Sequence, residues 1–203
     1  MPHYFHFKID DPRGNVLHIL NEPLQSMQCE YVIPRTGQQC RRQCVIGLPC
    51  CHSHLSLVYK VKIGPSTLPG AGKGLFAYDK TKGDRAVVFR NNEAICPYFG
   101  DPISRDELEA RYQDKTAPYG FLLNNAGLTE DAALHRGVGS IINHKPLSRS
   151  NCKIYVKPGT GRAFVKASKS ITNGSELFTS YGSNYRMQEA HVSSTTNNRR
   201  YFI

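Results

Sequence analysis

Nowhere do the 203 residues hold an apolar run near the roughly 18 that a membrane span needs, so the expectation is a chain that makes no membrane contact. The opening stretch MPHYFHFKIDDPRGN lacks both a basic start and an apolar block. Nothing there marks the chain for secretion, and a reducing compartment is expected. No internal repeat is present, nor any low-complexity tract beyond the polar residues 193–198. Acid is missing from a long stretch as well: residues 132–175 carry Arg136, Lys145, Arg149, Lys153, Lys157, Arg162, Lys166 and Lys169 with no Asp or Glu, in a chain of net charge +10. Such a run is either a solvated face or a contact for an anionic partner, nucleic acid or nucleosome included.

What is present fits a globular protein. Hydrophobic residues make up 39% and charged residues 21% of the chain, enough for one ordinary core with room for a small appended module. Five of the seven cysteines (Cys29, Cys40, Cys44, Cys50 and Cys51) crowd together, with His52 and His54 just beyond. In a reducing setting that crowding points to metal and not to disulfides. Cys29, Cys40, Cys51 and His54 supply the four ligands of a closed tetrahedral zinc site, with Cys44, Cys50 and His52 as rivals. A zinc ion here serves as a staple for a fragment too small to build its own core. Nucleic-acid reading by this module is the alternative, kept open by Arg41 and Arg42.

Residues 1–24 show no sustained period of 2 or 3.6 and read as a loose arm or a short strand laid on something else, within an N-terminal arm of residues 1–28. Residues 29–57 form the expected zinc module, and from about residue 58 the texture changes. Short β-branched or aromatic runs (58–63, 86–89, 94–98, 153–157, 163–167) alternate there with glycine-rich turns, which predicts many short strands. The last two runs flank Pro158-Gly159-Thr160-Gly161 and predict a hairpin with Lys153 and Lys157 on one face. One helix is well signalled, opening at Ser104 with Glu107 three residues on as a capping box, and Leu108 and Tyr112 as an apolar pair.

Four stretches suggest chemistry. Gly72-Lys73-Gly74-Leu75-Phe76 lets backbone groups approach a ligand without Cβ interference. The run 95–100 ends a strand in Tyr98-Phe99-Gly100. Ile141-Ile142-Asn143-His144 leaves an apolar strand for a loop that continues to Asn151-Cys152. Glu176-Leu177-Phe178-Thr179-Ser180-Tyr181-Gly182 brings a tyrosine to the end of another strand. Each alone has a bland reading, as a glycine turn, a loop hydrogen bonder or a core tyrosine. Taken in order and at these spacings, they resemble the SET-domain protein-lysine methyltransferases across residues 58–186.

The resemblance implies a mostly β fold with few short helices, in which small curved sheets surround a C-terminal pseudoknot. It implies a methyl donor, S-adenosylmethionine, with Gly72, Lys73 and Gly74 giving it backbone contacts. Asn143 would bond its amino-acid end and His144 would offer its backbone to the adenine. Tyr181 would be the catalytic tyrosine, with Tyr98 beside it. The lysine channel would be lined by Tyr98, Tyr119, Phe121 and Thr179. A protein substrate, histones among the options, and a nuclear location follow from likeness alone.

Departures from the family pattern matter too. Ser140 and Ile141 stand where Arg-Phe is usual, and Pro146 stands where many members have a zinc-binding cysteine. The loop 145–150 is two residues longer, and no cysteine follows Cys152. Channel closure is therefore expected from the tail 187–203, with Tyr201 and Phe202 as candidates. Thr179 replaces a frequent Phe or Tyr and leaves the degree of methylation open, while Ser180 replaces a frequent aspartate. The competing function is a catalytically weak SET-like module that recruits chromatin or nucleic acid through its zinc element.

Overall fold

Glycine and proline recur too often for any element to run long, and among the described residues no strand exceeds nine residues. A computed structural model describes residues 3–10, 16–24, 27–44, 48–112, 117, 119–123, 129–133, 135–158 and 161–182. Strands β1 (His3–Asp10) and β2 (Val16–Leu24) pair as an antiparallel hairpin, where sequence suggested a loose arm or a single short strand. Helix α1 (His52–Tyr59) leads into β3 (Val61–Pro65), which pairs antiparallel with β4 (Lys73–Ala77). Next come β5 (Val87–Phe89), β6 (Ala94–Tyr98) and β7 (Asp101–Ile103), then α2 (Arg105–Tyr112), β8 (Gly120–Leu122) and β9 (Thr129–Asp131). A 3-10 turn at Val138–Ile141 precedes β10 (Asn143–His144), and the chain continues through β11 (Cys152–Lys157), β12 (Arg162–Ala167), β13 (Ile171–Thr172) and β14 (Phe178–Thr179). The fold is mostly strand with two short helices, as the pattern of short runs and turns predicts.

The strands form six small sheets, ordered β1-β2, β3-β4, β5-β13, β6-β12-β11, β7-β9-β8 and β10-β14. Among the described residues only β10 and β14 pair in parallel, Asn143 opposite Phe178 and His144 opposite Thr179. The segment leading into β14 is held along both edges. On one side the Ala77 amide donates to the Ser175 carbonyl (2.8 Å) and the Leu177 amide to the Leu75 carbonyl (2.7 Å). On the other, Asn151 donates to the Glu176 carbonyl (2.8 Å) and accepts from the Phe178 amide (2.7 Å). A short strand saturated on both edges cannot fray independently, because every opening breaks backbone bonds to two neighbours at once.

One buried cluster runs from Cys29, Leu48 and Leu55 through Val61, Leu75, Val138 and Ile142 to Leu177, so the cysteine segment shares its core with the sheets. A smaller cluster gathers Tyr98, Leu123, Ala132 and Ala163, with Tyr119, Phe121, Ile154 and Val156 packed on it.

One expectation about the elements needs correction, and one helix was not foreseen. The run 58–63 is not one strand: Val58 and Tyr59 end α1, Lys60 turns at φ 52°, and β3 starts at Val61. Helix α1 was invisible to patterning because its N-cap, Cys51, makes no side-chain cap and only Leu55 is buried. A two-turn helix with so little apolar periodicity is stabilised by what it packs on. Helix α2 begins as the sequence predicts: the Ser104 amide donates to Glu107 Oε2 (2.7 Å) and the Glu107 amide to Ser104 Oγ (3.2 Å).

Candidate active site and candidate metal centre

The glycine edge owes its shape to one carboxylate. Glu176 is 5% exposed and accepts from Ser66 Oγ (2.7 Å) and from the Thr67 amide (2.6 Å). Asn143 Nδ2 lies 3.2 Å from its Oε1, 3.0 Å from the Lys73 carbonyl and 3.1 Å from Ser66 Oγ. Gly74 sits against this knot of bonds: a Cβ there would fall 2.2 Å from Glu176 Oε1 and 3.2 Å from Asn143 Nδ2. Glycine is thus required at 74 by close approach, and at 72 by a φ of 66°. Gly72, Lys73, Gly74 and Asn143 are therefore neighbours in space, although 69 residues of chain separate Asn143 from Gly74.

Burial opposes ionisation of Glu176, yet its bonds from Thr67, Ser66 and Asn143 prevail and hold the carboxyl below its ordinary value of 4.5. A lowered native value means that the carboxylate stabilises the fold fully above the unfolded value. That contribution is lost as pH falls through the native one. Replacing Glu176 with Gln is expected to cost about 1–3 kcal/mol at neutral pH, since two or three donors lose a charged acceptor. It should also flatten the fall of melting temperature below pH 4.5 relative to wild type. Parallel melting curves for the two proteins between neutral and acid pH would mean that Glu176 does not carry this clamp.

Across β10 lies the second half of the site. The Tyr181 hydroxyl donates to the Ile142 carbonyl (2.6 Å), and the Tyr181 amide donates to His144 Nδ1 (3.0 Å). The two rings tilt at 54° with centroids 5.2 Å apart. Burial pushes the His144 imidazole below its ordinary value, and a neutral ring that accepts at Nδ1 carries its proton on Nε2. Its side chain therefore sets the backbone of Tyr181, a part not foreseen from sequence, where only the His144 main chain was considered.

Tyr181 borders a cavity of about 310 Å³ whose wall also includes Tyr98, Tyr119, Phe121, Ile142 and Thr179. The lining includes Ser140, Cys152 and Ile154 as well. Tyr98 donates its hydroxyl to the Tyr119 carbonyl (2.9 Å) and meets Phe121 at 5.3 Å between ring centroids. Behind them the buried Arg136 guanidinium lies 4.5 Å over the Tyr119 ring and donates to the Ala133 carbonyl. These contacts fix an aromatic wall without filling the space before it. Tyr201 and Phe202 lie outside the described residues.

Beside β3 the cysteine segment folds back on α1. The ligand atoms of Cys29, Cys40, Cys51 and His54 all lie within 4.8 Å of one another. His54 Nδ1 is 3.3 Å from Cys29 Sγ and 3.4 Å from Cys51 Sγ, and Tyr31 stacks on its ring at 3.9 Å. Cys51 and His54 are brought to one side by the first turn of α1, where the His54 amide donates to the Cys51 carbonyl. The Cys51 amide donates to Cys29 Sγ and the Arg42 amide to Cys40 Sγ. Burial opposes the Cys29 thiolate, but bonds from the Cys51 and Tyr31 amides and to His54 bring the thiol down to about 6. At Cys40 the Arg42 amide favours the thiolate, yet burial and the neighbouring Cys29 charge prevail and raise it.

The rivals are not part of this convergent group, although Cys50 lies within side-chain hydrogen-bond reach of Cys29. Burial, before the nearby Cys29 charge, pushes Cys44 up to about 11 and Cys50 to about 12, so both remain thiols, and His52 is exposed. Three sulfurs and one imidazole nitrogen converge at a spacing that one tetrahedral ion closes, since zinc ligand atoms lie roughly 3.3–3.8 Å apart. The donor set fits a structural zinc.

Glu176 stood in the fourth stretch without a role of its own, and Ser66 and Thr67 were not singled out from sequence. The only signal available was a glutamate among the apolar residues Leu177 and Phe178, with a Ser-Thr pair in a distant loop.

A parallel strand pair, a glycine edge clamped to it and an aromatic cavity beside Tyr181 define a protein of small β-sheets with a cavity at the end of its last strand. The chain belongs to the SET-domain family, whose model matches residues 72–182. Among proteins of known activity, it is 31% identical over 134 residues to the histone-lysine N-methyltransferase EZH2 of Chaetomium thermophilum, covering 62% of this chain and 8% of that protein. Among solved structures it is similar to a chain of the Chaetomium thermophilum polycomb repressive complex 2, with 32% identity and a TM-score of 0.50. That match covers 63% of this chain and 16% of that one. The ctPRC2 complex in an autoinhibited conformation bound to S-adenosylmethionine matches at 30% identity and a TM-score of 0.50, with the same coverage. The ctPRC2 complex with H3K27me3 matches at 30% identity and a TM-score of 0.51, over 64% of this chain and 16% of that one. The chain therefore spans a small part of the relatives it matches. No helix among the described residues is long and apolar enough to cross a membrane.

Proposed function

We propose that the chain transfers methyl groups from S-adenosylmethionine to a lysine side chain of a chromatin protein, histones first among the candidates. One observation carries this reading. Ile142 takes the Tyr181 hydroxyl at the cavity, and Asn143, the next residue, grips the Lys73 carbonyl at the glycine edge. Ile142, just before β10, and Asn143, its first residue, thus connect the cavity and the glycine edge. Support for the donor and for a histone acceptor comes from the relatives named above, one of them bound to S-adenosylmethionine.

The bound donor supplies an activated methyl on a positively charged sulfur. Gly72 and Gly74 leave room for it to lie against backbone, Asn143 and the main chain of His144 face its polar ends, and the Glu176 clamp keeps Asn143 in place. The aromatic wall of Tyr98, Tyr119 and Phe121 takes water from an entering lysine, whose ordinary pKa near 10.4 falls as the charged form loses solvation. The Tyr181 oxygen orients the amine lone pair along the line of transfer. Its own hydrogen is engaged by the Ile142 carbonyl, so it acts as an acceptor and not as a base, and the proton leaves to bulk water.

Residues 58–186 form the catalytic part in this reading. Residues 29–57 are a zinc-stapled module, and the location is nuclear. The test is incorporation of labelled methyl from S-adenosylmethionine into core histones by the full chain. Incorporation at lysine above a no-enzyme control is expected. Absence of any, from protein that melts cooperatively and binds the donor, would favour the catalytically weak binding module.

A further inference from the structure

The outer face of the sheet β6-β12-β11 carries a charge arrangement that folding alone disfavours. Its three strands contain four basic residues and no acidic one. Register places Lys153 directly opposite Lys166 and Lys157 directly opposite Arg162. Like charges facing each other across a strand pair repel, and this sheet has two such pairs on one face. The other face holds Cys152, Val165, Ala163 and Ala167, all buried, so strand alternation sends every cation outward.

Lys166 Nζ lies 4.6 Å over the ring of Tyr155, and Lys153 Nζ donates to Asn92 Oδ1 at 2.9 Å. Both partners are neutral and leave the charge in place. Along β11, Lys153 and Lys157 are about 13 Å apart at roughly 3.3 Å per residue. The neighbouring row on β12 is about 5 Å away. Four cations in so small an area match a polyanion whose charges recur along a line, as phosphates do on nucleic acid.

We propose that this face binds the phosphate backbone of duplex DNA. A duplex fits better than a single strand because Tyr155, half exposed at the centre of the patch, already holds the Lys166 ammonium over its ring and so offers less of itself to a stacking base. A protein-lysine methyltransferase of chromatin gains from such a contact, yet the proposal stands without that activity. Lys153 also borders the cavity beside Tyr181, whereas Lys157, Arg162 and Lys166 do not.

The test measures affinity of the full chain for a short labelled duplex between about 50 and 200 mM salt. Affinity is expected to fall on the order of 10²-fold across that range if four phosphates are neutralised, at about 0.9 in log–log slope for each. The triple variant Lys157→Gln, Arg162→Gln, Lys166→Gln should bind more weakly, with a slope shallower by about 2.7. Its melting temperature should hold or rise, because opposed charges are removed; a face that served only to support the fold would melt earlier. Unchanged affinity and slope in the variant would overturn the proposal. So would displacement of the duplex by polyglutamate at equal charge, which would identify an acidic protein surface as the partner. Tighter binding of single-stranded than duplex DNA would overturn the duplex assignment.

Discussion

Replacing Tyr181 with phenylalanine is expected to lower methyl transfer by about 10²-fold or more while leaving donor binding nearly unchanged. The hydroxyl borders the cavity and is held at 2.6 Å from the Ile142 carbonyl, so its oxygen occupies a fixed point on the wall. Loss of one preorganised polar group at a reacting centre costs on the order of 10²–10³ in rate, and displacement of a reactant by an ångström costs about 10². The ring remains in the variant, so the tilt against His144 and the amide bond to Nδ1 should persist and the fold should melt within a few degrees of wild type. The loss should appear in kcat with little change in the KM for S-adenosylmethionine, because the glycine edge is untouched. Wild-type turnover in Tyr181→Phe would remove this phenol from the mechanism and with it the assignment of the cavity as the lysine channel.

Removal of the metal should have the largest effect on stability. Purified chain is expected to hold about one zinc, and Cys51→Ser or a strong chelator should abolish it, with zinc content read by elemental analysis. Structural zinc contributes roughly 10–16 kcal/mol of apparent binding energy in small zinc-organised peptides, and most of their folding energy is that binding energy. Here the buried cluster is continuous from Cys29 to Leu177, so loss of the ion should loosen more than the segment 29–54. A drop in melting temperature of about 10 °C or more is expected, at roughly 2–4 °C per kcal/mol for a chain of this size. Cys44→Ala and Cys50→Ala should keep the zinc, because neither sulfur is among the four ligand atoms that converge. Zinc retained in Cys51→Ser, or lost in Cys50→Ala, would mean that the ligand set is wrong.

The two experiments separate two layers of the molecule. A protein with full zinc and no transfer would keep the module and lose the enzyme. Transfer without zinc would make the module dispensable. Glu176→Gln lies between them, since it loosens the edge that holds Asn143 without touching cavity or cluster.

Local chemistry was legible along the chain wherever a few neighbouring residues decide the outcome. The capping box at Ser104, the hairpin of β11 and β12 and the outward placement of Lys153 and Lys157 follow from spacing and alternation. The crowding of cysteines spoke for metal in the same way. Helix α1 could not be read, because its stability comes from packing Leu55 and from the cluster at its first turn. The pairing of β1 with β2 was not read either, although Phe5, Phe7 and Ile9 alternate with His6, Lys8 and Asp10.

What the chain order by itself determined was an inventory: short strands, glycines at 72 and 74, an Asn-His pair, a tyrosine after a strand and four metal-type ligands among seven contenders. Tertiary structure alone decided which of these meet. It chose Cys29, Cys40, Cys51 and His54 over Cys44, Cys50 and His52, gave His144 a side-chain bond to the Tyr181 amide, and made Glu176 the hub joining residues more than a hundred positions apart. The physical reason is that hydrogen bonds and metal bonds act over about 3 Å, whereas sequence patterns report only which face a residue presents. Contacts between faces are made when the chain crosses itself, and no local period records that crossing.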